Sequence, residues 1–149
     1  MFKLVRRRKA KGFTLVELLI VMVIIGILAG AMLLVMGSGK DKANATKIVS
    51  NLRSMKAAAL MYYFDHNDWP TSISDLDDYM DRPVSADGEI VKAYDIDSNG
   101  NGVYIKATLE DGGFRDKLKE MATENGLYAN MNGGDYTGGD NVYVKLGSK

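Results

Sequence analysis

An α+β chain, with one long N-terminal helix followed by a strand-rich half, is the fold class that three features of this sequence predict. Apolar residues run almost unbroken from Phe13 to Met36. Beyond them, Ile48, Val49, Leu52, Met55, Ala59, Tyr62 and Tyr63 recur at spacings of three and four, the period of an amphipathic helix. After Trp69-Pro70 the pattern changes to short alternating segments separated by Gly, Asn and Asp, which reads as strands and turns.

The first element is a basic leader. Lys3, Arg6, Arg7, Arg8, Lys9 and Lys11 precede the apolar run with no acidic residue among them. Residues 13–36 would span roughly 36 Å as a helix at about 1.5 Å per residue, enough to cross a hydrocarbon core of about 30 Å. A cleaved secretory signal has an apolar region of only about 7–15 residues followed by a small-residue cleavage site. Here Ala29-Gly30-Ala31 lies inside the run rather than after it. One carboxylate, Glu17, interrupts the apolar stretch near its start. A charged side chain in a membrane segment is costly, so it implies a task and a partner unless it reaches the interface by snorkelling.

Lys11-Gly12-Phe13-Thr14-Leu15-Val16-Glu17-Leu18-Leu19-Ile20-Val21 closely resembles the class III signal of type IV pilins and type II secretion pseudopilins. The resemblance implies a type IV pilin-like fold, in which a small antiparallel sheet packs on the second half of the long helix. It implies a prepilin peptidase that cuts after Gly12, on the cytoplasmic side, and methylates the new N-terminal Phe13. The expected division is then a removed leader (1–12), a transmembrane and filament-core half-helix (13–36), an amphipathic half-helix (37–66) and an exported α+β head (67–149). Cleavage creates an α-amino cation one helical turn from Glu17. Between staggered subunits the amine of one can meet Glu17 of its neighbour, and such a pair offsets part of the desolvation cost that a lone charge pays in full. Glu17 is thereby expected to act in filament assembly.

Gly26 and Gly30 have the spacing that lets membrane helices approach closely, although glycine is also simply common in such helices. Gly37 and Gly39 each cost about 1 kcal/mol relative to alanine inside a helix. Bending or melting is expected there when subunits pack. The helical period ends at Asn67-Asp68-Trp69-Pro70, because proline blocks continuation and biases the preceding residue away from helix. Many pilins leave the long helix through a similar aromatic-Pro-Thr turn. Ser72 and Asp75 then have capping-box spacing ahead of a short helix carrying Leu76, Tyr79 and Met80.

In the second half, residues 89–96 and 103–109 predict a hairpin with a long tip at 97–102. A short helix follows Gly112-Gly113 and ends at Asn125-Gly126. Residues 127–131 and 141–146 flank a glycine-rich turn, predicting a second hairpin. Asp95, Asp97, Asn99 and Gly100 match the opening of a calcium loop, with Asn101 beside them, and the turn from Asp135 to Asp140 is a second candidate. The glutamate that an EF-hand places twelfth is here Lys106, and Asp, Asn and Gly equally make good turns. Calcium is thus a candidate ligand, and no cofactor is required.

The zero formal charge of the 149-residue chain averages two unlike parts. With six of 19 basic residues in the leader, thirteen face 19 acidic residues afterwards, a balance of minus six. The leader fits the positive-inside rule, with a cytoplasmic N-terminus and an exported C-terminus. An acidic head gives no support to nucleic-acid binding. No cysteine is present, so no disulfide closes the C-terminal region as in many type IVa major pilins. His66 is the lone histidine, at a predicted helix end, and no serine sits in a nucleophile-elbow context, so the chain reads as structural rather than enzymatic.

The function expected is that of a subunit of a membrane-assembled helical filament, a type IV pilus serving adhesion, motility or DNA uptake. The alternatives are a type II secretion pseudopilin and a membrane-anchored binding domain that never polymerises. The partners implied are further copies of the chain, the prepilin peptidase, the assembly machinery of the inner membrane, and lipids before assembly.

Overall fold

The computed structural model describes residues 12–148. The basic residues of the leader and Lys149 lie outside the described residues. Internal contacts divide the chain into two units, one ending at Gly37 and the other beginning at Ser38.

Helix α1 runs from Leu15 to His66, 52 residues, and continues through Gly37 and Gly39. In its first part the large side chains are exposed, among them Leu18, Ile20, Ile24 and Leu28. An 18-residue window there reaches a mean hydropathy of 3.1, making the helix long and apolar enough to cross a membrane. The amphipathic period takes over in the second unit, where Ala45, Ile48, Val49, Leu52, Met55, Ala58 and Ala59 form a buried stripe. Tyr62 is half-buried at the end of that stripe.

His66 and Asn67 close the helix. The His66 ring stacks on Tyr62 with centroids 4.2 Å apart, and its Nδ1 lies 3.1 Å from the Tyr62 carbonyl oxygen. Asn67 adopts a positive φ of 53°, the left-handed conformation that ends many helices. The 3₁₀ segment Ile73–Tyr79 begins with the predicted capping box. Asp75 accepts hydrogen bonds from the backbone N–H of Thr71 (3.0 Å) and Ser72 (2.9 Å), which hold its carboxyl below the usual range. The segment buries Leu76 completely.

Four strands form one antiparallel sheet in the order β1-β2-β4-β3, with β1 at Val91–Asn99, β2 at Gly102–Leu109, β3 at Leu127–Tyr128 and β4 at Asn141–Gly147. Alternation decides the faces. Ile96 pairs with Ile105, Ile105 with Val144, and Ala107 with Val142, and these residues join the α1 stripe in one hydrophobic core. Helices α2 (Phe114–Glu120) and α3 (Ala122–Asn125) add Phe114, Leu118 and Ala122 to it.

The first hairpin differs from expectation. Its tip is the two residues Gly100 and Asn101, since Asn99 already pairs with Gly102 and Asp97 with Tyr104. Asp97 and Asn99 belong to the strand because they sit on its outward face, where polar side chains cost nothing and Lys106 on the neighbouring strand neutralises the charge. Gly102 has φ +142° and lies against the Gly147 carbonyl, a place that only glycine fills without strain. The second hairpin is also modified. β3 is only two residues long, and β4 lies between β3 and β2.

A polar clamp closes the start of β1. Asp87 accepts hydrogen bonds from the backbone N–H of Glu89 (3.1 Å), Ile90 (2.9 Å) and Val91 (3.2 Å), and from Lys47 Nζ of α1 at 2.8 Å. Desolvation pushes the Asp87 carboxyl up, but the lysine and the three N–H donors outweigh it and hold it well below the usual range. A depressed carboxylate stabilises the fold above its unfolded pKa and loses that contribution as pH falls. Asp87→Ala should therefore lower the Tm at pH 7, by an amount equivalent to about 1 kcal/mol for a partly exposed charged hydrogen bond. The gap from wild type should narrow as pH falls below about 4, where the unfolded carboxyl protonates. Melts followed by Trp69 fluorescence would check this.

Candidate assembly site and loop carboxylates

Gly12 and Phe13 precede α1, and Phe13 is 84% exposed. Thr14 is positioned as the cap of the helix. Its backbone N–H donates to Glu17 Oε2 at 2.7 Å and its hydroxyl donates to the same oxygen at 2.8 Å. In return the Glu17 N–H donates to Thr14 Oγ1 at 3.2 Å. This is a reciprocal capping box, which satisfies backbone donors that helix geometry would leave orphaned.

Sequence reasoning assigned Glu17 to a partner charge and missed this second role. The signal was present in the spacing Thr14-x-x-Glu17 ahead of an apolar run. The carboxylate is thus occupied within its own chain, and both of its side-chain contacts belong to Thr14, next to the expected new N-terminus. Farther along the helix, the positions that a Cβ would take at Gly26 and Gly30 meet no atom within 4 Å, so this face is open in the single chain.

The loop carboxylates are dispersed. Asp95 and Asp97 point outward from β1 and share Lys106 Nζ, at 3.4 and 3.1 Å. The Lys106 ammonium is raised above the ordinary lysine range, first by its hydrogen bond to Asp97. Asn99 Oδ1 accepts from the backbone N–H of Asn101 at 2.9 Å, and Asn101 Nδ2 donates to Asn132 Oδ1 at 3.2 Å. Asp135 accepts from the Thr123 hydroxyl at 2.7 Å, whereas Asp140 pairs with Arg115 at 2.8 Å. Among the described residues no three His, Cys, Asp or Glu side chains converge as metal ligands. A cation at Asp95 and Asp97 would compete with the Lys106 ammonium, and the four candidate oxygens from Asp95 to Asn101 follow a paired strand and tight tip rather than wrapping a loop.

Residues 7–33 match the model of the prokaryotic N-terminal methylation motif. The chain is 35% identical over 103 residues to the type II secretion system core protein G of Aeromonas hydrophila, covering 64% of this chain and 72% of that protein. The chain belongs to the family of type II secretion pseudopilins and type IV pilins. A pilin-like chain of this kind is a subunit of a helical filament, anchored by its apolar N-terminal helix. It is also 31% identical over 109 residues to the type IV major pilin protein PilE1 of Neisseria gonorrhoeae, covering 73% of this chain and 63% of that pilin. Its fold matches the major type IV pilin PilA1 of Clostridium difficile with a TM-score of 0.57 and 27% identity, over 74% of this chain and 98% of that one. The core protein G of Escherichia coli matches over about half of each chain, 51% and 52%, at 36% identity.

Proposed function

We propose that this pilin-like chain is the repeating subunit of a type IV pilus. The observation that supports the reading is the likeness in fold to a major pilin over 98% of that solved chain, at 27% identity. A prepilin peptidase cuts between Gly12 and Phe13 and methylates Phe13, the basic leader stays in the cytoplasm, and the head at 67–149 is exported. Inner-membrane assembly machinery then draws the subunit from the lipid into the filament. There the Phe13 amine of one subunit meets Glu17 of the next, released from Thr14. The role is structural and asks for neither catalysis nor a cofactor.

A second reading, a pseudopilin that builds a short periplasmic filament for secretion, is favoured by the 35% identity over 72% of the Aeromonas core protein G. Electron microscopy of cells with and without the chain separates the two. Loss of surface fibres supports the pilus. Intact fibres with failed release of exported proteins overturn it in favour of the pseudopilus.

A further inference from the structure

The head contains Asn-Gly steps at Asn99-Gly100, Asn101-Gly102, Asn125-Gly126 and Asn132-Gly133. Glycine has no Cβ to hinder its backbone nitrogen, so that nitrogen can attack the carboxamide carbon of the asparagine before it. Local sequence ranks these steps alike. Their surroundings do not.

Attack requires a glycine amide that can turn toward the side chain and give up its proton. At Asn125 the Gly126 N–H donates to the Ala122 and Thr123 carbonyls, and Asn125 Nδ2 donates to the Met121 carbonyl at 2.7 Å. The Gly133 N–H donates to the Asn130 carbonyl at 3.3 Å. Gly102 pairs with Asn99 in the strand ladder and lies against the Gly147 carbonyl. Gly100 differs from all of these. It is exposed at the hairpin tip, its N–H has no partner among the described residues, and a Cβ built on it would meet no atom within 4 Å.

The asparagine before it also carries a polarised carbonyl. Asn99 Oδ1 accepts the backbone N–H of Asn101 at 2.9 Å. A donor on that oxygen draws electron density from Cγ and stabilises the negative charge that gathers there during attack. Asn132 Oδ1 is polarised too, by Asn101 Nδ2 at 3.2 Å, but the glycine that follows it is tied. Asn99 alone of the four combines the activated carbon with the free nitrogen.

We propose that Asn99 is a site of spontaneous deamidation, the amide that the folded head loses first. The Gly100 nitrogen gives its proton to solvent base and bonds to Asn99 Cγ. The Cγ–Nδ2 bond then breaks, and the amide leaves as ammonia with a proton from water. Solvent water opens the resulting succinimide at either carbonyl, leaving aspartate or isoaspartate at position 99 with no change of oxidation state. Asn99 Nδ2 donates to the Met131 carbonyl (3.4 Å) and to Asn132 Oδ1 (3.5 Å). Deamidation replaces that donor with a carboxylate facing two acceptors, which loosens the tip from the loop after β3. The site is carried by the head alone, so it stands whether the filament is a pilus or a pseudopilus.

Peptide mapping by mass spectrometry, after incubation of the full chain in detergent micelles, tests this. Acid should appear at position 99 at least about threefold faster than at 101, 125 or 132, the rate equivalent of one neutral hydrogen bond. The rate should rise with pH, because the attacking nitrogen must lose its proton. With the head unfolded in urea the four rates should converge, since local sequence alone then acts. Gly100→Ala, which the open space at the tip accommodates, should slow position 99 by at least about tenfold while 125 and 132 keep their rates. Equal rates in the folded head, faster reaction at another of the four, no deamidation at position 99, the same ranking in urea, or no slowing in Gly100→Ala overturns the proposal.

Discussion

Glu17→Ala should leave the chain in the membrane and lower assembled filament by at least about tenfold, the scale of one lost charge-assisted contact per subunit interface. Insertion should persist because removing a charge from an apolar helix makes it a better membrane segment. Alanine, however, deletes both the counter-charge for the neighbour's amine and the cap on Thr14. Glu17→Gln separates the two, since glutamine still completes a capping box but carries no charge. Under the pairing mechanism glutamine assembles as poorly as alanine. Sheared filament and membrane-bound subunit, measured by immunoblot from the same cells, give the two readouts. Normal assembly by Glu17→Gln would reduce the residue to a cap and end the pairing mechanism.

The capping box also gives the uncleaved chain a physical reason to be inert. Two hydroxyl and amide donors of Thr14 hold one carboxylate oxygen, so an incoming amine must compete with them. Cleavage after Gly12 would place a cation two atoms of backbone away from that network. Under the pairing mechanism the amine exists only after that cut, while the carboxylate it would meet is already held by Thr14.

The elements that were readable in the sequence are those where one periodic signal dominates. Residues 48, 49, 52, 55 and 59 set the buried stripe of α1 because a helix against a core has one apolar face and no other way to satisfy it. Ser72 and Asp75 formed the expected cap because the contact is local. The hairpin tip was misjudged because Asp97, Ser98 and Asn99 have turn-like chemistry while their partners do not adjoin them in sequence. Lys106, nine residues beyond Asp97, makes the strand acceptable. Cross-strand neutralisation is invisible until register is known. For the same reason the carboxylates that looked like a metal loop proved to have partners of their own.

Two substitutions on opposite faces of the amphipathic half-helix give the strongest test of the head's architecture. Leu52 is 1% exposed within the core, and Phe64 is 82% exposed on the same helix. Leu52→Ala should cost about 2–5 kcal/mol, combining lost transfer energy with the cavity left behind. That is a large share of a domain stability of about 5–15 kcal/mol, so the variant should be close to unfolding at ambient temperature. Phe64→Ala, although it removes a larger side chain, should change monomer stability by no more than about 0.5 kcal/mol, because that side chain is already mostly exposed. Trp69 reports on the head, since its ring stacks on Tyr63 at 4.5 Å and its indole N–H donates to the Ser148 carbonyl at 3.4 Å. Urea titrations followed by Trp69 fluorescence in micelles, where the apolar helix stays folded, therefore isolate the head's transition. Similar costs for both variants would mean that the exposed face is covered in solution, and with it that subunits associate through that face before any filament forms.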